Sequence, residues 1–386
     1  MILKEIKVLF AVLCILIPYT NDLSAQIKIK AVGDIMLGSV TPKEILPPNN
    51  GFEFVESLGN VLMDADIIFG NLEGAFFTED MEPEKCSDRS RKAATCYEFG
   101  MPDSLAPSLK NLGFNVLNQD NNHSEDYGEE GYLFTQKVLQ ESGINFLPKK
   151  GHVEFKIRNT DVVLVAFGYS ENSYHISDLK NAQKVISTLN EKYDIIIVSF
   201  HGGAEGKNAT EVADSVETYL EENRGNVFAF SHAAIDAGAD IVIGHGPHVL
   251  RAMEIYNNKL IAYSLGNFLT YGNMNISGIN GVNIVLDVTL DNFNGDFLTA
   301  KLIPVKQFGY GVPMYDESLE GVKLIKDFSK RDFPYGKLFF YKNGTIINSS
   351  KLKTDVKLKG DDKRLFTLPN SMKELDRSKY SVPKIE

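Results

Sequence analysis

The stretch ADIVIGHGPHVLRAMEIYNNKLIAYSLGNF, residues 239–268, decides the fold that the sequence predicts. Its apolar run at 241–243 ends at Gly244, and the turn that follows carries His245 and His248. Imidazoles in a tight turn after a buried strand are well placed to bind a metal, because the strand fixes the turn and the glycine lets the backbone approach the ion. The alternative is that both histidines are polar residues in a solvated turn. The choice between a metal site and a solvated turn depends on whether neighbouring strands place further ligands close to these histidines.

Apolar runs and segments of helical spacing alternate along most of the chain. Because the predicted strands are almost entirely apolar, this alternation predicts an α/β fold whose sheet is covered on both faces. The more regularly alternating runs at 281–290 and 296–305 predict an antiparallel hairpin in a second sheet. Further predicted strands are residues 27–32, 65–69, 114–117, 154–157, 162–167 and 194–199, and predicted helices are residues 52–63, 103–113, 133–139, 178–189, 212–220, 228–237 and 319–329.

Composition restricts the classes of protein to which the chain can belong. An apolar fraction of 43% over 386 residues is normal for a globular protein with a substantial core and excludes disorder as the dominant state. The net charge of -11 argues against a nucleic-acid surface, since phosphate contact needs a basic face. An anionic substrate therefore needs a bound cation to receive it.

The N-terminus has the pattern of a secretory signal. Lys4 and Lys7 precede an apolar run at 8–18, and residues 23–25 offer small side chains where a signal peptidase cuts. A membrane anchor is the alternative, but the apolar run is short for crossing a bilayer. We therefore expect residues 1–25 to be removed and the mature chain to be exported, to the periplasm, the cell surface or the extracellular space.

Two of the three cysteines fall outside this signal, and both lie in one polar segment. Cys86 and Cys96 form an even pair in an exported chain, which favours a disulfide that closes the loop between them. A metal site is the weaker alternative, because neither cysteine has a second thiol or a histidine at ligand spacing. We expect one domain at 26–310 and a C-terminal extension at 311–386 that is loosely held from about residue 351.

The ends of five successive predicted strands carry a carboxylate, an amide or an imidazole. In open α/β sheets the site forms beyond the carboxyl ends of the strands, so this shared placement predicts a metal site rather than separate polar turns. The residue types favour one or two Zn, Mn or Fe ions over a purely oxygen-liking ion such as Ca. The strand ends carry Asp34, Asn71 with Glu73, Asn122 with His123, His201, and His245 with His248, and the candidate metal ligands among them are Asp34, Glu73, Asn122, His201, His245 and His248.

Three residues are candidate catalytic groups. His123 is placed to act as a general acid, and Asp126, three residues later, is placed to orient its imidazole, with a helix or turn cap as the alternative role for Asp126. Glu205 lies in the run HGGAEG, residues 201–206, where it either supports a ligand through a hydrogen bond or opens the next helix. This run lacks the Lys-Ser/Thr ending of a nucleotide loop, so ATP binding is not predicted.

Six motifs within about residues 27–310 together resemble the CapA family, which is named for capsule and poly-gamma-glutamate synthesis proteins. The family's fold is similar to that of the calcineurin-like metallophosphoesterases, so the resemblance implies a four-layer α/β/β/α sandwich with its site between the loops of the two sheets. Six motifs in one order support the family more strongly than they support a particular reaction. The motifs are VGDIMLG, DADIIFGNLEGAF, LGFNVLNQDNNHSEDYGEEG, VSFHGGAEG, GADIVIGHGPHVL and IAYSLGNF.

The resemblance also implies a role for six of the strand-end residues. Two carboxylates, one amide and two imidazoles resemble metal ligands, and one imidazole resembles the acid that protonates a leaving group. The implied roles are Asp34 as the metal aspartate of the first motif, Glu73 as the bridging carboxylate, Asn122 as the amide ligand, His123 as the acid, and His201 and His248 as the later imidazole ligands.

At two positions the chain departs from the metallophosphoesterase pattern. Met36 stands where a histidine normally follows the first aspartate by two residues, and Gly246 replaces the first of the closing histidines, with His245 shifted by one.

The leading hypothesis is an exported protein that acts, with metal assistance, on an extracellular anionic polymer such as poly-γ-glutamate or another envelope component. The two departures favour the alternative, a non-catalytic polymer-binding or export component. Both hypotheses place membrane-bound polymer synthesis machinery among the partners, and neither includes nucleic acid.

Overall fold

Two β-sheets lie face to face at the centre of the protein. The computed structural model describes residues 26–93 and 95–351. Its strands are β1 Gln26–Met36, β2 Ile67–Leu72, β3 Ala75–Phe77, β4 Gly100–Pro102, β5 Val116–Asn118, β6 Asn145–Leu147, β7 His152–Ile157, β8 Thr160–Phe167, β9 Ile195–His201, β10 Thr218–Tyr219, β11 Glu222–Asn223, β12 Ile241–His245, β13 Met253–Tyr256, β14 Lys259–Ala262, β15 Asn267–Thr270, β16 Val282–Asp291, β17 Phe297–Phe308, β18 Val312–Tyr315, β19 Leu338–Phe340 and β20 Thr345–Asn348. Its α-helices are α1 Phe52–Leu58, α2 Asp88–Lys92, α3 Ala106–Leu112, α4 Gly128–Glu141, α5 Leu179–Asn190, α6 Val227–Asp236 and α7 Glu320–Asp332.

The first sheet has the order β19-β20-β17-β16-β1-β2-β5-β6, with β15 and β18 paired to β1 and β17. Strands β1, β2, β5 and β6 run parallel, so their carboxyl ends lie at one edge of the sheet. β15 also runs parallel to the end of β1, and the register pairs Asp34 with Asn267. Side chains from distant parts of the chain therefore meet at this edge.

The second sheet has the order β13-β14-β12-β9-β8-β7. Its central strands β8, β9, β12 and β14 are parallel, and β9 and β12 are buried along their whole length. Burial on both faces explains why these strands are almost continuously apolar in sequence. The register of β9 and β12 places His201 beside His245 at the carboxyl edge.

Three hydrophobic cores join the layers. The largest contains apolar side chains from both sheets and fills the space between them. A second core packs α1, α3 and α4 on the outer face of the first sheet, and a third packs α5 and α6 on the outer face of the second. This arrangement is a four-layer α/β/β/α sandwich, and the predicted fold class is confirmed.

Helix boundaries follow from local chemistry in two clear cases. The side chain of Asp178 accepts a hydrogen bond from the backbone N–H of Asn181, which caps the first turn of α5. At the other end of a helix, Gly113 has φ of 104° after α3, a conformation that a residue with a Cβ adopts only with strain. Both boundaries agree with the predicted start near residue 178 and stop near residue 113.

The predicted placement of the alternating hairpin is wrong. Residues 281–305 do form an antiparallel pair, β16 and β17, but that pair extends the first sheet instead of forming a second one. β16 lies antiparallel to the first half of β1, from Gln26 opposite Asp291 to Ala31 opposite Leu286. The middle of the second sheet is built from β8, β9 and β12, which are nearly all apolar.

The predicted helix at 212–220 is also wrong, because this segment leads into the short hairpin of β10 and β11. Its apolar residues share no buried face: Val216 and Leu220 are 59% and 73% exposed. The fully buried Arg251 instead donates two hydrogen bonds to Glu217, at 2.9 and 2.7 Å. A charge-assisted pair of this kind outweighs a weak helical propensity.

A disulfide joins Cys86 and Cys96, as the paired cysteines predict. It closes a loop with a sequence separation of 10, for which the chain-entropy model gives about 2.5 kcal/mol of stabilisation. We expect the double variant C86S/C96S to lose about that much free energy of unfolding in urea titrations under oxidising conditions. Wild type under reducing conditions is the matched comparison, and equal stability of the oxidised wild type and the double variant would contradict this expectation.

Some sequence predictions fall on parts of the chain that lie outside the described residues. These are the signal at 1–25 and the loosely held tail beyond residue 351. After residue 310, β18 and β20 pair with β17, and α7 packs against β16 and β17. Within residues 26–93 and 95–351, no helix is long and apolar enough to cross a membrane.

Candidate metal centre

Three strand ends from the two sheets converge on one buried cluster. Asp34 lies near the end of β1, Glu73 directly follows β2, and His201 is the last residue of β9. One ligand atom from each side chain lies within 4.8 Å of the others, and all three residues are fully buried. The parallel strands of both sheets end here, which is where α/β sheets place their sites. We call Asp34, Glu73 and His201 the central cluster.

The amide of Asn71 holds the two carboxylates of the central cluster in place. Its Nδ2 donates to Asp34 Oδ1 at 2.8 Å and to Glu73 Oε2 at 2.5 Å. Its Oδ1 accepts hydrogen bonds from the side chains of Asn118 and Asn121, at 2.9 and 3.0 Å. A neutral donor between two buried carboxylates reduces their repulsion without adding charge. It also determines which carboxylate oxygens remain free to contact a metal ion.

His248 lies against the central cluster through its Nδ1 atom. Nδ1 is 2.9 Å from Asp34 Oδ2 and 3.1 Å from Asn267 Oδ1, and Nε2 is 3.8 Å from Glu205 Oε2. The backbone of His248 has φ of 58°, in the left-handed region, which is uncommon for residues other than glycine. The turn between β12 and β13 therefore holds this imidazole at the cluster at some cost in backbone strain.

His245, another predicted ligand, lies beside the cluster and turns away from it. Its Nε2 is 3.1 Å from the carbonyl oxygen of Val32, and its ring meets Phe69 edge to face with 5.7 Å between centroids. The structure therefore brings His248, but not His245, into contact with the acidic side chains. His245 bridges the two sheets through Val32, on β1.

His123 lies in the loop between β5 and α4 and is paired with Asp126. Its Nδ1 is 2.7 Å from Asp126 Oδ2, the contact that the three-residue spacing predicts. The ring also packs on Phe99, with 4.5 Å between centroids. Lys85 completes the group, with its Nζ 3.1 Å from His123 Nδ1 and 3.2 Å from Asp126 Oδ1. The Nδ1 side is thus occupied, and Nε2 is the nitrogen left to contact a ligand.

Glu205 is held by an arginine that the sequence did not indicate. Arg224 Nη1 donates to Glu205 Oε1 at 2.6 Å, and its Nη2 pairs with Glu222 at 3.0 Å. The guanidinium lies over the rings of Tyr169 and Tyr219, at 4.2 and 5.2 Å from their centroids. Glu205 therefore has one oxygen fixed by Arg224, and its other oxygen lies on the side of His248.

Burial and mutual repulsion shift the pKa values of this site. Burial of Glu73, together with the charge of Asp34, raises the pKa of its carboxyl to about 8. Burial opposes charge on His248, but the hydrogen bond and the charge of Asp34 outweigh it and raise the pKa of the imidazole to about 10. The same pair holds the pKa of Asp34 below its ordinary value despite burial. Burial lowers the pKa of His201 well below its usual range, so this ring is neutral.

The residues present fit a divalent transition metal. The buried side-chain atoms without a hydrogen-bond partner among the described residues include four at the strand ends: Glu73 Oε1, Asn122 Oδ1, His201 Nε2 and His245 Nδ1. Unpaired buried acceptors cost free energy unless a donor or a cation satisfies them. Carboxylate, amide and neutral imidazole ligands together suit Zn, Mn or Fe. Asn122, predicted as the amide ligand, offers its oxygen in this way.

Fold and site together define a class: an α/β/β/α sandwich protein with a candidate metal centre where the strands of its two sheets end. Within that class, the family model described as "Bacterial capsule synthesis protein PGA_cap" matches residues 28–271, more than half of the chain. The chain belongs to this family. All residues of the central cluster fall within the matched region.

Curated relatives carry capsule-related names. The chain is 28% identical over 274 residues to "Capsule biosynthesis protein CapA" of Bacillus anthracis, a match that covers 65% of this chain and 62% of that protein. It is 28% identical over 272 residues to "PGA biosynthesis protein CapA" of Bacillus subtilis (strain 168), covering 65% and 64%. The chain thus spans less than two thirds of the length of either relative.

Among solved structures, the purple acid phosphatase PPD1 of yellow lupin (Lupinus luteus) aligns with 76% of this chain and 54% of its own. Sequence identity in that alignment is 11%, and the TM-score is 0.36. A likeness at this level supports no conclusion about the chemistry of this chain, which depends on its own residues.

Four residues that shape the site have no such role in the predictions from sequence. Asn71 stands at a predicted strand end but is not predicted to join the carboxylates, and Asn267 lies in the motif IAYSLGNF without a predicted role. These two had a usable signal, an amide next to a glycine at a strand terminus. Lys85 and Arg224 had none, because each reaches the site from a loop whose path depends on tertiary contacts.

Proposed function

We propose that this chain is an exported member of the capsule family that acts on an anionic extracellular polymer, such as poly-γ-glutamate or another envelope component, by metal-assisted hydrolysis or transfer. The observation that carries the proposal is the central cluster, whose unpaired acceptor atoms suit a cation and which lies at the same sheet edge as the His123 and Asp126 pair. The printed names of the relatives, which refer to capsule and PGA biosynthesis, support the polymer as the substrate class.

Each residue has a distinct task in this proposal. Asp34, Glu73 and His201, with Asn122 and His248, hold the metal, and Asn71 fixes the orientation of the two carboxylates. A divalent Zn, Mn or Fe ion, one or two per chain, supplies Lewis acidity toward a substrate oxygen and makes water a better nucleophile. Asp126 keeps the His123 ring oriented so that Nε2 delivers a proton to the leaving group.

The charge of the site supports an anionic substrate only when a cation is present. The net charge of the chain is -11. An anionic polymer is repelled by a chain of this charge unless bound metal provides a local positive charge at the site. Metal binding and polymer binding are therefore linked in this proposal.

Metal analysis and a hydrolysis assay test the proposal together. We expect protein purified without a His-tag to carry at least one transition-metal ion and to release fragments from poly-γ-glutamate, with activity lost on chelation and restored by metal. The variant H123A keeps its metal but loses activity by about 100-fold, the typical effect of removing a general acid. H152A, at a half-exposed histidine on β7, is the control. Metal-free, inactive protein would refute the enzymatic role.

A non-catalytic role in polymer binding or export is the second candidate, and one observation favours it. Met36 is buried, and its sulfur accepts a hydrogen bond from the backbone N–H of Gly38 at 3.3 Å, so it adds no hard ligand to the cluster. In this role the protein binds polymer without cleaving it. Polymer binding that survives chelation supports this candidate, and binding that disappears with the metal supports the first.

Export is part of the proposal, and the disulfide between Cys86 and Cys96 supports it because such bonds persist in oxidising compartments. The signal-like pattern at 1–25 supports the same location. The partners in this setting are the polymer and the membrane-bound machinery that synthesises it. Cell fractionation tests this point: recovery of the protein in the cytoplasm with its cysteines reduced would overturn the proposed location.

A further inference from the structure

The hydroxyl of Tyr169 is a buried donor without a partner. Tyr169 follows the end of β8, and its hydroxyl is inaccessible to solvent yet makes no hydrogen bond within residues 26–93 and 95–351. Leaving a buried hydroxyl unpaired costs roughly 1 to 3 kcal/mol. Unpaired groups of this kind in a folded protein call for an explanation, and functional contact is one of the few available.

The ring of Tyr169 is fixed beside the central cluster. Its centroid is 6.0 Å from that of His201, and the guanidinium of Arg224 lies 4.2 Å from it on one face. Arg224 is itself held by Glu205 and Glu222. A ring confined by a cation–π contact to an immobilised arginine does not swing freely, so the position of the hydroxyl is set before any ligand arrives.

The unpaired atoms of this region are of two chemical kinds. Glu73 Oε1 and Asn122 Oδ1 are acceptors, of the kind that a metal ion would satisfy. The O–H of Tyr169 is a donor, which a cation cannot satisfy. The charges of Glu205, Glu222 and Glu73 all act on this hydroxyl, yet none of these carboxylates accepts its proton in a hydrogen bond.

The Tyr169 hydroxyl is a donor that lies beside the candidate cation site. One type of ligand group can contact both, namely an anionic oxygen. Carboxylate and phosphate oxygens both have this property, and hydrogen bonds to such charged acceptors are stronger than neutral ones. The phenol is suited to the task because it remains protonated at neutral pH. Phenylalanine at this position would retain the ring contacts with His201 and Arg224 and remove only the donor.

We propose that Tyr169 donates a hydrogen bond to an anionic oxygen of the substrate while that substrate lies at the central cluster. This role rests on the proposed function, since it requires a ligand at the same site. Tyr169 is then a specificity-determining residue: it selects for a carboxylate or phosphate group at the cluster, whereas Arg224, which is fully engaged by two carboxylates and two rings, only positions it.

Binding measurements on Y169F test the proposal. Metal-loaded wild type and variant are titrated in a calorimeter with a γ-linked glutamate tetramer and, separately, with inorganic phosphate. We expect Y169F to bind the preferred anion roughly tenfold more weakly, the effect of losing one charge-assisted hydrogen bond. Its metal content and thermal stability should match those of wild type. Y256F is the control, because that hydroxyl bonds Asp236 near the surface, on the outer side of the second sheet.

The outcomes separate this role from the proposed function. If metal-loaded wild type binds neither anion, both the substrate class and the role of Tyr169 are refuted. If wild type binds an anion and Y169F binds it equally well, the hydroxyl contacts water only and the role of Tyr169 alone is refuted. Should Y169F fail to fold, wild type labelled with 3-fluorotyrosine tests the contact: an unchanged Tyr169 fluorine resonance at saturating anion refutes the role of Tyr169.

Discussion

Replacement of Asp34 by asparagine is expected to abolish metal binding. Asn has the same shape and still accepts the hydrogen bond from Asn71, but it removes the one carboxylate that contacts both Asn71 and His248. Structural zinc sites contribute about 10 to 16 kcal/mol over some four ligands, or about 2.5 to 4 kcal/mol for each, so one lost anionic ligand weakens affinity by about two to three orders of magnitude. Of all the substitutions in the site, we expect this one to have the largest effect.

Titration of the metal-free protein with Zn or Mn, followed by mass-spectrometric metal analysis, measures the loss in D34N. The matched control is D327N, at an exposed aspartate on α7 far along the chain. D327N should bind metal as wild type does. Wild-type metal content in D34N would mean that the central cluster is not the metal site, and the proposed function would lose its main support.

The second large effect concerns the pH dependence of stability and depends on Glu73. In the metal-free protein its folded-state pKa of about 8 lies far above its ordinary value of 4.5. The folded state therefore holds a proton that the unfolded state releases, so this contribution to stability is fully present below about pH 4.5 and is lost as the pH rises through 8. At about 1.4 kcal/mol per unit, the loss between about pH 5 and about pH 8 is on the order of 4 kcal/mol.

E73Q removes the titrating group and keeps the shape of the side chain. Urea titrations of metal-free E73Q should therefore show a much flatter pH dependence than wild type over this range. Saturating metal should restore the stability of wild type at about pH 8, because the cation stabilises the ionised carboxylate, and should raise the stability of E73Q by a smaller amount. E56Q, at an exposed glutamate on α1, is the control. Parallel curves for wild type and E73Q would show that Glu73 does not titrate in this way.

Strand ends were the predictable part of this molecule. Buried parallel strands are continuously apolar, and they stop at glycines or polar residues, so Asp34, Glu73 and His201 are identifiable from local pattern alone. The sheet rule then places them together without knowledge of the topology. The choice between His245 and His248 was not predictable in this way, because it depends on the conformation of a single turn.

Long-range contacts between strands and side chains determine features of the fold that the local sequence pattern does not predict. The hairpin of β16 and β17 joins the first sheet because β1 offers it an edge, and the sequence of the hairpin does not contain that information. The segment near 212–220 has apolar spacing that suggests a helix, but Arg251 and Glu217 hold it in another conformation. Arg224 reaches Glu205 from the position just after β11, which the predicted helix did not anticipate, so the error in secondary structure also concealed a residue of the site.

The pairing of β15 with β1 has a consequence for when the centre can assemble. Asp34 and Asn267, which share the contact with His248, are separated by more than half of the chain. During synthesis the pair of contacts that holds His248 between Asp34 and Asn267 cannot form until residue 267 has emerged, so an earlier fragment lacks this part of the site. An ion bound at this site would therefore be one available in the compartment where the whole polypeptide folds, and metal supply in that compartment, as much as ligand chemistry, would decide its identity.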